Sequence, residues 1–474
     1  MCCRRHKVAF IAEANWGFAS RFLRRKSVCG MEIYIKLYKK IIAICMLLVM
    51  TFSLCACRSD ENDTAKNLNV EEKVSVNVWY TDESYNGYLE YVAKKFHEAN
   101  ELVTVVPVLV SGEDYVDTIY EQGIHKDNIA DVYLVSAHEL SKICKLGLAA
   151  QNNTYDKYYT EKKYTKTALK AASYNGKLYG YPVNFNTSFM VYNKSVVEPK
   201  DTFNALTEFS DNFQQTDENK NITQIITWDV SDMLLNYGFS AGSIQAGGED
   251  GEDSSAINID TERLKSAMNE VALLRDVYGI ERSETTQDTC ISMFTEGKLA
   301  YTIVDANHLK AIEDSDIEYG VCKIPTMGND MEITNLSDTT LAVVNSYAGN
   351  LEVAKAVAHA LSYDYSNAMF NTSGKISAKK VNIDKKVAST FGIIYDTYEN
   401  SDIRAKFIGS ANVYSGYEIM FRKIWDGEDA ETAVDNYLSM LGIEPNQQSS
   451  GEQSGDVIEN TGAGADTDSK ENVN

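Results

Sequence analysis

The sequence predicts an α/β fold in which helices cover a parallel sheet. Segments with the two-residue periodicity of strands alternate along the chain with segments of helical periodicity. Hydrophobic residues make up 44% and charged residues 24%, which excludes a collagen-like, fully disordered or multi-span membrane chain. The length of 474 residues is enough for two large domains or about three of ordinary size.

The first half of the folded region alternates strand and helix most clearly. Its predicted elements, in order, are strand 74–79, helix 85–99, strand 103–110, helix 114–122, strand 131–135 and helix 137–146. Further strands are predicted at 189–193, 300–304, 319–324 and 340–345, and further helices at 261–278, 351–363 and 430–441. No short internal repeat is present in the sequence.

Charge is distributed unevenly along the chain. Residues 1–56 hold ten Lys and Arg but two acidic residues, whereas the remainder holds 35 basic and 66 acidic residues. Three lysines precede residues 41–54, which are uncharged but shorter than the roughly 20 residues of a spanning helix. This leader therefore predicts an export signal. An uncleaved membrane anchor is the alternative, and both place the body outside the cytoplasm.

The end of the uncharged segment, Leu54-Cys55-Ala56-Cys57, resembles the bacterial lipobox. We therefore expect a lipid on Cys57 and attachment to the bacterial cell membrane. Residues 1–30 do not fit a signal peptide, so the true start is predicted at Met31. Residues 57–73 are predicted to form a tether, and residues 446–474 a disordered acidic tail. Three cysteines remain in the body, and free buried thiols are expected there.

Composition and sequence motifs argue against several classes of function. Acidic residues outnumber basic ones 68 to 45, which argues against a nucleic-acid partner. The sequence contains neither HExxH nor GxSxG, and no catalytic residue, metal or cofactor is expected. Asp217, Asn219 and Asn221 imitate a calcium loop, but Ile222 replaces the required Gly and Trp228 the bidentate Glu.

Three blocks of sequence carry a family resemblance. They are YNGKLYGYPVNFNTSFMVYNK at 174–194, MFTEGKLAYTI at 293–303 with YGVCKIP at 319–325, and IWDGEDAETAV at 424–434. Their order and spacing are similar to those of the extracellular solute-binding proteins of family 1, the maltose-binding and sugar-binding components of ABC importers. The resemblance extends over about residues 74–441.

The resemblance implies a two-lobed, type II periplasmic-binding-protein-like fold with discontinuous lobes joined by hinge strands. Chain crossings are expected near Asn184, Asp338 and Phe391. Lobe 1 is then residues 74–184 plus 339–391, and lobe 2 is residues 185–338 plus 392–445. The implied function is that of a lipid-anchored, monomeric, non-catalytic receptor that binds a small solute, most often a sugar, and delivers it to an ABC permease in the membrane.

Ligands of α/β sheets bind beyond the carboxyl ends of strands. This rule and the family pattern select polar and aromatic residues in the corresponding loops and near the first hinge. The candidate ligand-binding residues are Tyr80, Asp82, Glu83, Ser136, His138, Asn186, Trp228, Asp229, Asp305, Asn307 and Tyr414. Carboxylates and amides pair with vicinal hydroxyls, and aromatic rings stack on sugar rings. Because each neutral hydrogen bond contributes only about 1 kcal/mol net, several must converge.

Some of these residues have structural alternatives. Trp228 either stacks on a ligand or packs within its lobe. Asp305 either faces the ligand or caps a helix beginning at Ala306. His138 is also compatible with an ordinary surface position, and Tyr414 with a structural one.

The loop after residue 303 departs from the family pattern, because Val304-Asp305-Ala306-Asn307 stands where many sugar-binding relatives have Gly-x-Trp. This favours a smaller or more polar solute than a maltodextrin, and an Asp there suits an amine as well. Functional alternatives are therefore a binder of a polar non-sugar solute, a surface adhesin or sensor-coupled receptor on the same fold, and a paired-carboxylate glycosidase.

Overall fold

The computed structural model describes residues 68–125, 129–217, 219–381 and 388–444. The predicted leader, Cys57 and the predicted tail lie outside the described residues. The described strands, numbered in chain order, are β1 (Val74–Tyr80), β2 (Val103–Leu109), β3 (Val132–Ser136), β4 (Ser173–Tyr174), β5 (Lys177–Leu178), β6 (Gly180–Asn193), β7 (Gln224–Ile226), β8 (Ile244–Gly247), β9 (Asp253–Ile259), β10 (Leu299–Asp305), β11 (Tyr319–Cys322), β12 (Leu336–Val344), β13 (Ile376–Ser377) and β14 (Asp402–Ile403).

The described α-helices are numbered in the same way. They are α1 (Asn86–Ala99), α2 (Tyr115–His125), α3 (Leu140–Lys145), α4 (Lys166–Ala171), α5 (Phe203–Asp211), α6 (Met233–Asn236), α7 (Thr261–Tyr278), α8 (Gln287–Thr295), α9 (Leu309–Glu313), α10 (Leu351–His359), α11 (Met369–Ser373), α12 (Ala388–Glu399), α13 (Ala411–Trp425) and α14 (Ala430–Met440). None of the helices in the described ranges combines the length and apolar character needed to cross a bilayer.

Ten of the described strands form one sheet, whose main path is β2-β1-β3-β12-β6-β10-β7. Strand β1 pairs in parallel with β2 and β3, so the predicted strand–helix alternation at the start of the fold is confirmed. Strand β12 is antiparallel to both β3 and β6. The sheet is therefore mixed: the first strands pair in parallel as predicted, and two antiparallel strands lie at its centre.

Strand β6 is longer than predicted because it belongs to both halves of the sheet. Up to Thr187 it pairs with β12, and from Ser188 it pairs with β10 and β11. Pro182 pairs with Leu341 where the register with β12 shifts, and such an irregularity tolerates a residue without an amide hydrogen. The proline and the polar residues around it interrupt the apolar pattern that marks the second half of this strand.

We call the part of the fold around β1, β2 and β3 lobe 1, and the part around β7, β10 and β11 lobe 2. The expected crossings near Asn184 and Asp338 fall on β6 and β12. The third, near Phe391, falls in α12, which packs against β6 and β11. The exact lobe boundaries remain a prediction.

Lobe 2 has its own aromatic core. Trp228 packs against Phe239 and Trp425 there, with ring centroids 5.9 and 5.4 Å apart. The cysteines among the described residues, Cys144, Cys290 and Cys322, are free thiols. Burial raises the pKa of each thiol to about 12, so these groups remain protonated at neutral pH.

Candidate functional site

A cavity of about 330 Å³, called the cleft below, lies where residues of both lobes face each other. Lobe 1 contributes the loop after β1 and the last residues of β3, and lobe 2 contributes α6 and the turn after β10. Of the predicted binding residues, those that line the cleft are Asp82, Ser136, Asn186 and Asn307. Three of these four residues, Asp82, Ser136 and Asn307, lie at or just beyond the carboxyl ends of strands, and their role in ligand binding stays a prediction.

The floor of the cleft consists of two cross-strand pairs. Asn184 lies opposite Thr340 and Asn186 opposite Asp338 on the paired strands β6 and β12. Because side chains two residues apart on a strand share a face, all four point to the same side of the sheet. The Tyr85 hydroxyl donates to Oδ1 of Asn184 at 2.6 Å and lies 3.0 Å from Oγ1 of Thr340, which fixes one pair.

Asp82 and Lys375 form the wall on the side of lobe 1. Asp82 follows β1 and caps a short 3₁₀ turn by accepting hydrogen bonds from Ser84. The ammonium of Lys375 lies 2.8 Å from Oδ2 of Asp82 and 4.8 Å from the centre of the Tyr85 ring. Burial opposes the charge on Asp82, but hydrogen bonds from Lys375 and Ser84 outweigh it and lower the pKa of this carboxyl. This wall is therefore an ion pair and not an aromatic platform.

Ser136 connects lobe 1 to the floor. It ends β3, lies opposite Thr340 and hydrogen-bonds to Oδ1 of Asp338. Its hydroxyl also lies 2.6 Å from Nδ1 of His138. His138 does not line the cleft, and its Nε2 lies 3.1 Å from Glu139 instead. His138 is therefore held by Ser136 and Glu139 beside the cleft, and its role as a ligand contact stays a prediction.

Asp305 supports the floor from the side of lobe 2. Its Oδ2 accepts a hydrogen bond of 2.9 Å from Asn186, and its Oδ1 lies 2.6 Å from Nδ1 of His308. Oδ1 also accepts from the Asn307 amide, so Asp305 caps the turn that begins at Ala306. This is the structural alternative considered for Asp305, which is 5% exposed and lies behind the cavity.

Asp305 and His308 shift each other's pKa. Burial disfavours the carboxylate, but the hydrogen bond and charge of His308 outweigh it and lower the pKa of Asp305. The hydrogen bond with Asp305 raises the pKa of His308 in turn. Asn186 therefore rests on a fixed negative group that orients its amide.

Two predicted aromatic contacts lie in the core of lobe 2. Trp228 is fully buried and its Nε1 donates to Asn236 at 2.8 Å, so it is the lobe-packing residue of the alternative reading. The Tyr414 side chain is 2% exposed, and its hydroxyl accepts from the Ala405 amide at 2.6 Å. Neither ring lines the cleft. Trp228 lies just after β7 and Tyr414 in the first turn of α13, and at both positions apolar packing and ligand stacking give the same sequence pattern.

The remaining predicted residues also lie outside the cavity lining. The Tyr80 side chain is buried and donates to Asn86 at 2.6 Å. Glu83 is exposed in the turn after Asp82. Asp229 accepts from the backbone amides of Ser231 and Gln287.

Sequence reasoning missed several residues of the cleft. They are Tyr85, Asn184, Asp338, Thr340, Lys375 and Arg404. A run of polar residues inside each of two strands that are apolar elsewhere is a pattern that could have revealed the floor. Lys375 and Arg404 lie in irregular segments and have no such local pattern. Within the described ranges no group of three or more His, Cys, Asp or Glu side chains is arranged to hold a metal ion.

The relatives found by comparison with known proteins are solute-binding proteins. Residues 91–390 match the family model of the bacterial extracellular solute-binding protein. The maltodextrin-binding protein MdxE of Bacillus subtilis (strain 168) is 24% identical over 421 residues, 85% of this chain and 97% of that protein. A maltooligosaccharide ABC transporter solute-binding lipoprotein of Streptococcus pneumoniae (strain ATCC BAA-255 / R6) is 26% identical over 312 residues, 64% of this chain and 71% of that protein.

A solved structure shows the same fold. A cyclo/maltodextrin-binding protein complexed with maltotetraose superimposes with a TM-score of 0.66 at 16% identity, covering 79% of this chain and 98% of that one. This likeness confirms the predicted two-lobed type II fold.

Proposed function

Since the chain belongs to the family of bacterial extracellular solute-binding proteins, we propose that it is the carbohydrate receptor of an ABC importer. In this proposal it binds the sugar between its lobes, delivers it unchanged to a membrane permease, and has no catalytic role. It acts as a monomer outside the cytoplasm, held to the membrane through a lipid on Cys57. The relatives named for maltodextrin and for maltooligosaccharide ABC transport support this assignment.

One observation in the cleft carries the proposal. Oδ1 of Asn186 is buried, yet it has no hydrogen-bond donor among the described residues. Its Nδ2 is already engaged by Asp305. An unsatisfied buried acceptor costs about 1–3 kcal/mol, which a donor from a bound ligand removes. A sugar hydroxyl is such a donor, and its own oxygen can accept from a neighbouring group in the cleft.

The rest of the floor suits the same chemistry. Asn184, Asp338 and Thr340 present amide, carboxylate and hydroxyl groups on the same face as Asn186. Several polar groups spaced along two strands match several hydroxyls spaced around a sugar ring. Since each neutral hydrogen bond contributes only about 1 kcal/mol net, such convergence is what gives useful affinity.

The shared strands provide the mechanism of capture. Lobes 1 and 2 are joined through β6 and β12, and the ligand-binding groups lie on or beside these strands. Closure of one lobe on the other excludes water and strengthens polar contacts with the solute. The ligand stabilises the closed form only through contacts that the open form lacks.

The test is a binding screen of the purified protein in detergent. Thermal unfolding is measured with neutral and acidic mono- and oligosaccharides, amino acids, peptides and polyamines. A ligand at 100 times its Kd should stabilise the protein by about 2.7 kcal/mol, and calorimetry then gives its Kd. Mass spectrometry should recover the sugar unchanged. Binding confined to amino acids, peptides or polyamines would refute the sugar assignment, and turnover of the sugar would refute the receptor role.

A further inference from the structure

Arg404 stands out among the charged residues that line the cleft. It follows β14, and its backbone amide donates to the Ser337 carbonyl at 3.2 Å, which ties it to the start of β12. Among the described residues its guanidinium makes no side-chain hydrogen bond and no ion pair. A guanidinium carries five N–H donors in a planar fork. Because Arg404 lines the cleft, these donors are available to a group bound there.

The position of this guanidinium is nevertheless defined. It lies 5.4 Å from the centre of the Tyr414 ring, which is a cation–π distance. Tyr414 is itself held by the Ala405 amide and by the ring of Tyr237, whose centroid is 5.9 Å away. A buried aromatic ring therefore supports an arginine whose polar edge remains unused. Such support reduces the side-chain freedom that would be lost on binding a ligand.

The other charges of the cleft already have partners. Lys375 is paired with Asp82, and Asp338 accepts a hydrogen bond from Ser136. Glu139 acts on Arg404 only through space, since its partner at 3.1 Å is His138. Closure of the lobes would remove Arg404 from water, which is costly for an unpaired charge. A negative group on the ligand would offset that cost.

We propose that the carbohydrate bound in the cleft carries a carboxylate, as a uronic acid does, and that Arg404 binds this group in a bidentate manner. This inference rests on the proposed function as a sugar receptor. A carboxylate matches the fork of one guanidinium. A carboxylate brings one negative charge to one guanidinium, whereas a phosphate dianion would bring a second negative charge into a cleft that already holds Asp82 and Asp338. The volume of about 330 Å³ is at the lower end for small-molecule sites, which favours a short saccharide.

The test compares acids with their uncharged counterparts. Calorimetry of the purified full chain in detergent uses glucuronate, galacturonate and digalacturonate, each against its methyl ester. The ester keeps the ring and its hydroxyls but lacks the charge. We expect at least one acid to bind about tenfold or more tightly than its ester, because hydrogen bonds between charged groups are the stronger ones. The preference should decrease as salt is raised.

Substitutions test whether Arg404 causes the preference for the acid over its ester. Arg404→Gln should abolish the preference for the acid, and Arg404→Lys should keep only part of it, because the fork is lost. Arg282→Gln is the matched control, since Arg282 pairs with Asp426 away from the cleft lining and should keep the full preference. The comparison of acid with ester in the unmodified protein does not depend on whether a variant folds.

The outcomes separate this inference from the proposed function. Equal binding of acid and ester, or an acid preference that survives in Arg404→Gln, overturns the inference and leaves the sugar receptor intact. If neutral sugars bind and none of the three acids does, the inference is also overturned and the sugar receptor is left intact. Tighter binding of sugar phosphates than of all three acids overturns the choice of carboxylate. Failure of every saccharide in the wider screen refutes the proposed function itself, and this inference with it.

Discussion

The Nζ atom of Lys375 lies 2.8 Å from Oδ2 of Asp82, although 7% of the Lys375 side chain is exposed against 49% of the Asp82 side chain. The pair joins the loop after β1 to the segment after α11. The buried ammonium is thus neutralised by a carboxylate that water still reaches. Its second contact, to Asn307 of lobe 2 at 3.5 Å, makes this side chain a link between the two walls of the cleft.

Replacing Lys375 should change how stability depends on pH. Because the pKa of Asp82 is lowered in the folded state, the pair contributes stability above the carboxyl pKa of the unfolded chain, about 3.9, and loses it as pH falls through the lowered value. Lys375→Met should therefore lose this contribution at neutral pH, about 1 kcal/mol or less since Asp82 is half exposed. Urea unfolding between pH 2.5 and 7 measures it.

The control for this change is Lys95→Met, which removes an exposed lysine paired with Glu98 at 2.8 Å on α1. It should alter stability little, because exposed ion pairs are screened by water and contribute weakly. An identical pH dependence in Lys375→Met and the unmodified protein would show that the pair contributes nothing to stability.

His308 should give a second pH dependence, of opposite sign. Its pKa is raised by Asp305, so its contribution to stability is complete below about pH 6.5, the value in the unfolded chain, and is lost as pH rises through the raised value. Relative to His308→Gln, the unmodified protein should therefore be more stable at pH 6 than at pH 9. Denaturant unfolding at both pH values measures the difference. An equal difference in stability between the two proteins at pH 6 and pH 9 would contradict this linkage.

Trp228 should act on stability and not on ligand affinity. Trp228→Ala removes a fully buried ring and its hydrogen bond to Asn236, and should lower the free energy of unfolding by about 3–5 kcal/mol. Trp228→Phe retains much of the packing and should cost less. Calorimetry on the folded fraction should give an unchanged Kd. A weakened Kd without loss of stability would instead make Trp228 a ligand platform.

Asp338 should act on ligand affinity and little on stability. Asp338→Asn removes a negative acceptor from the cleft floor and should weaken sugar binding by about tenfold, with a change in unfolding free energy near or below 1 kcal/mol. Asp396→Asn provides the comparison, since Asp396 is exposed and pairs with Lys323. Equal affinities of both variants and the unmodified protein would exclude Asp338 from the binding site.

The sequence was sufficient to place the cleft but not to complete it. Asp82 and Ser136 follow predicted strands, and the carboxyl ends of neighbouring strands meet at one edge of a sheet. Asn186 followed from the family pattern around the first hinge. Each of these residues could be identified from its neighbours in the sequence, without knowledge of partners far along the chain.

The residues that sequence reasoning misplaced depend on partners far along the chain. Trp228 follows a strand, as a ligand-stacking residue would. Its environment is set by Trp425, which is far from it in the sequence but in contact with it in the fold. Lys375 is recognisable as a binding residue only once Asp82 is beside it. Likewise, nothing near Arg404 in sequence indicates that Tyr414 supports its guanidinium. Three-dimensional proximity decides these cases, and hydrophobic periodicity does not report it.

The central position of β12 has a consequence for the newly made chain. This strand lies between β3 and β6, and its contact with β3 joins residues 202 positions apart, as Ser136 and Asp338 show. Until residue 344 has been synthesised, β3 and β6 both present unpaired edges, which can pair with other chains. Such long-range pairing also slows folding. A polypeptide that ends before Leu336 should therefore aggregate instead of yielding an independent lobe 1.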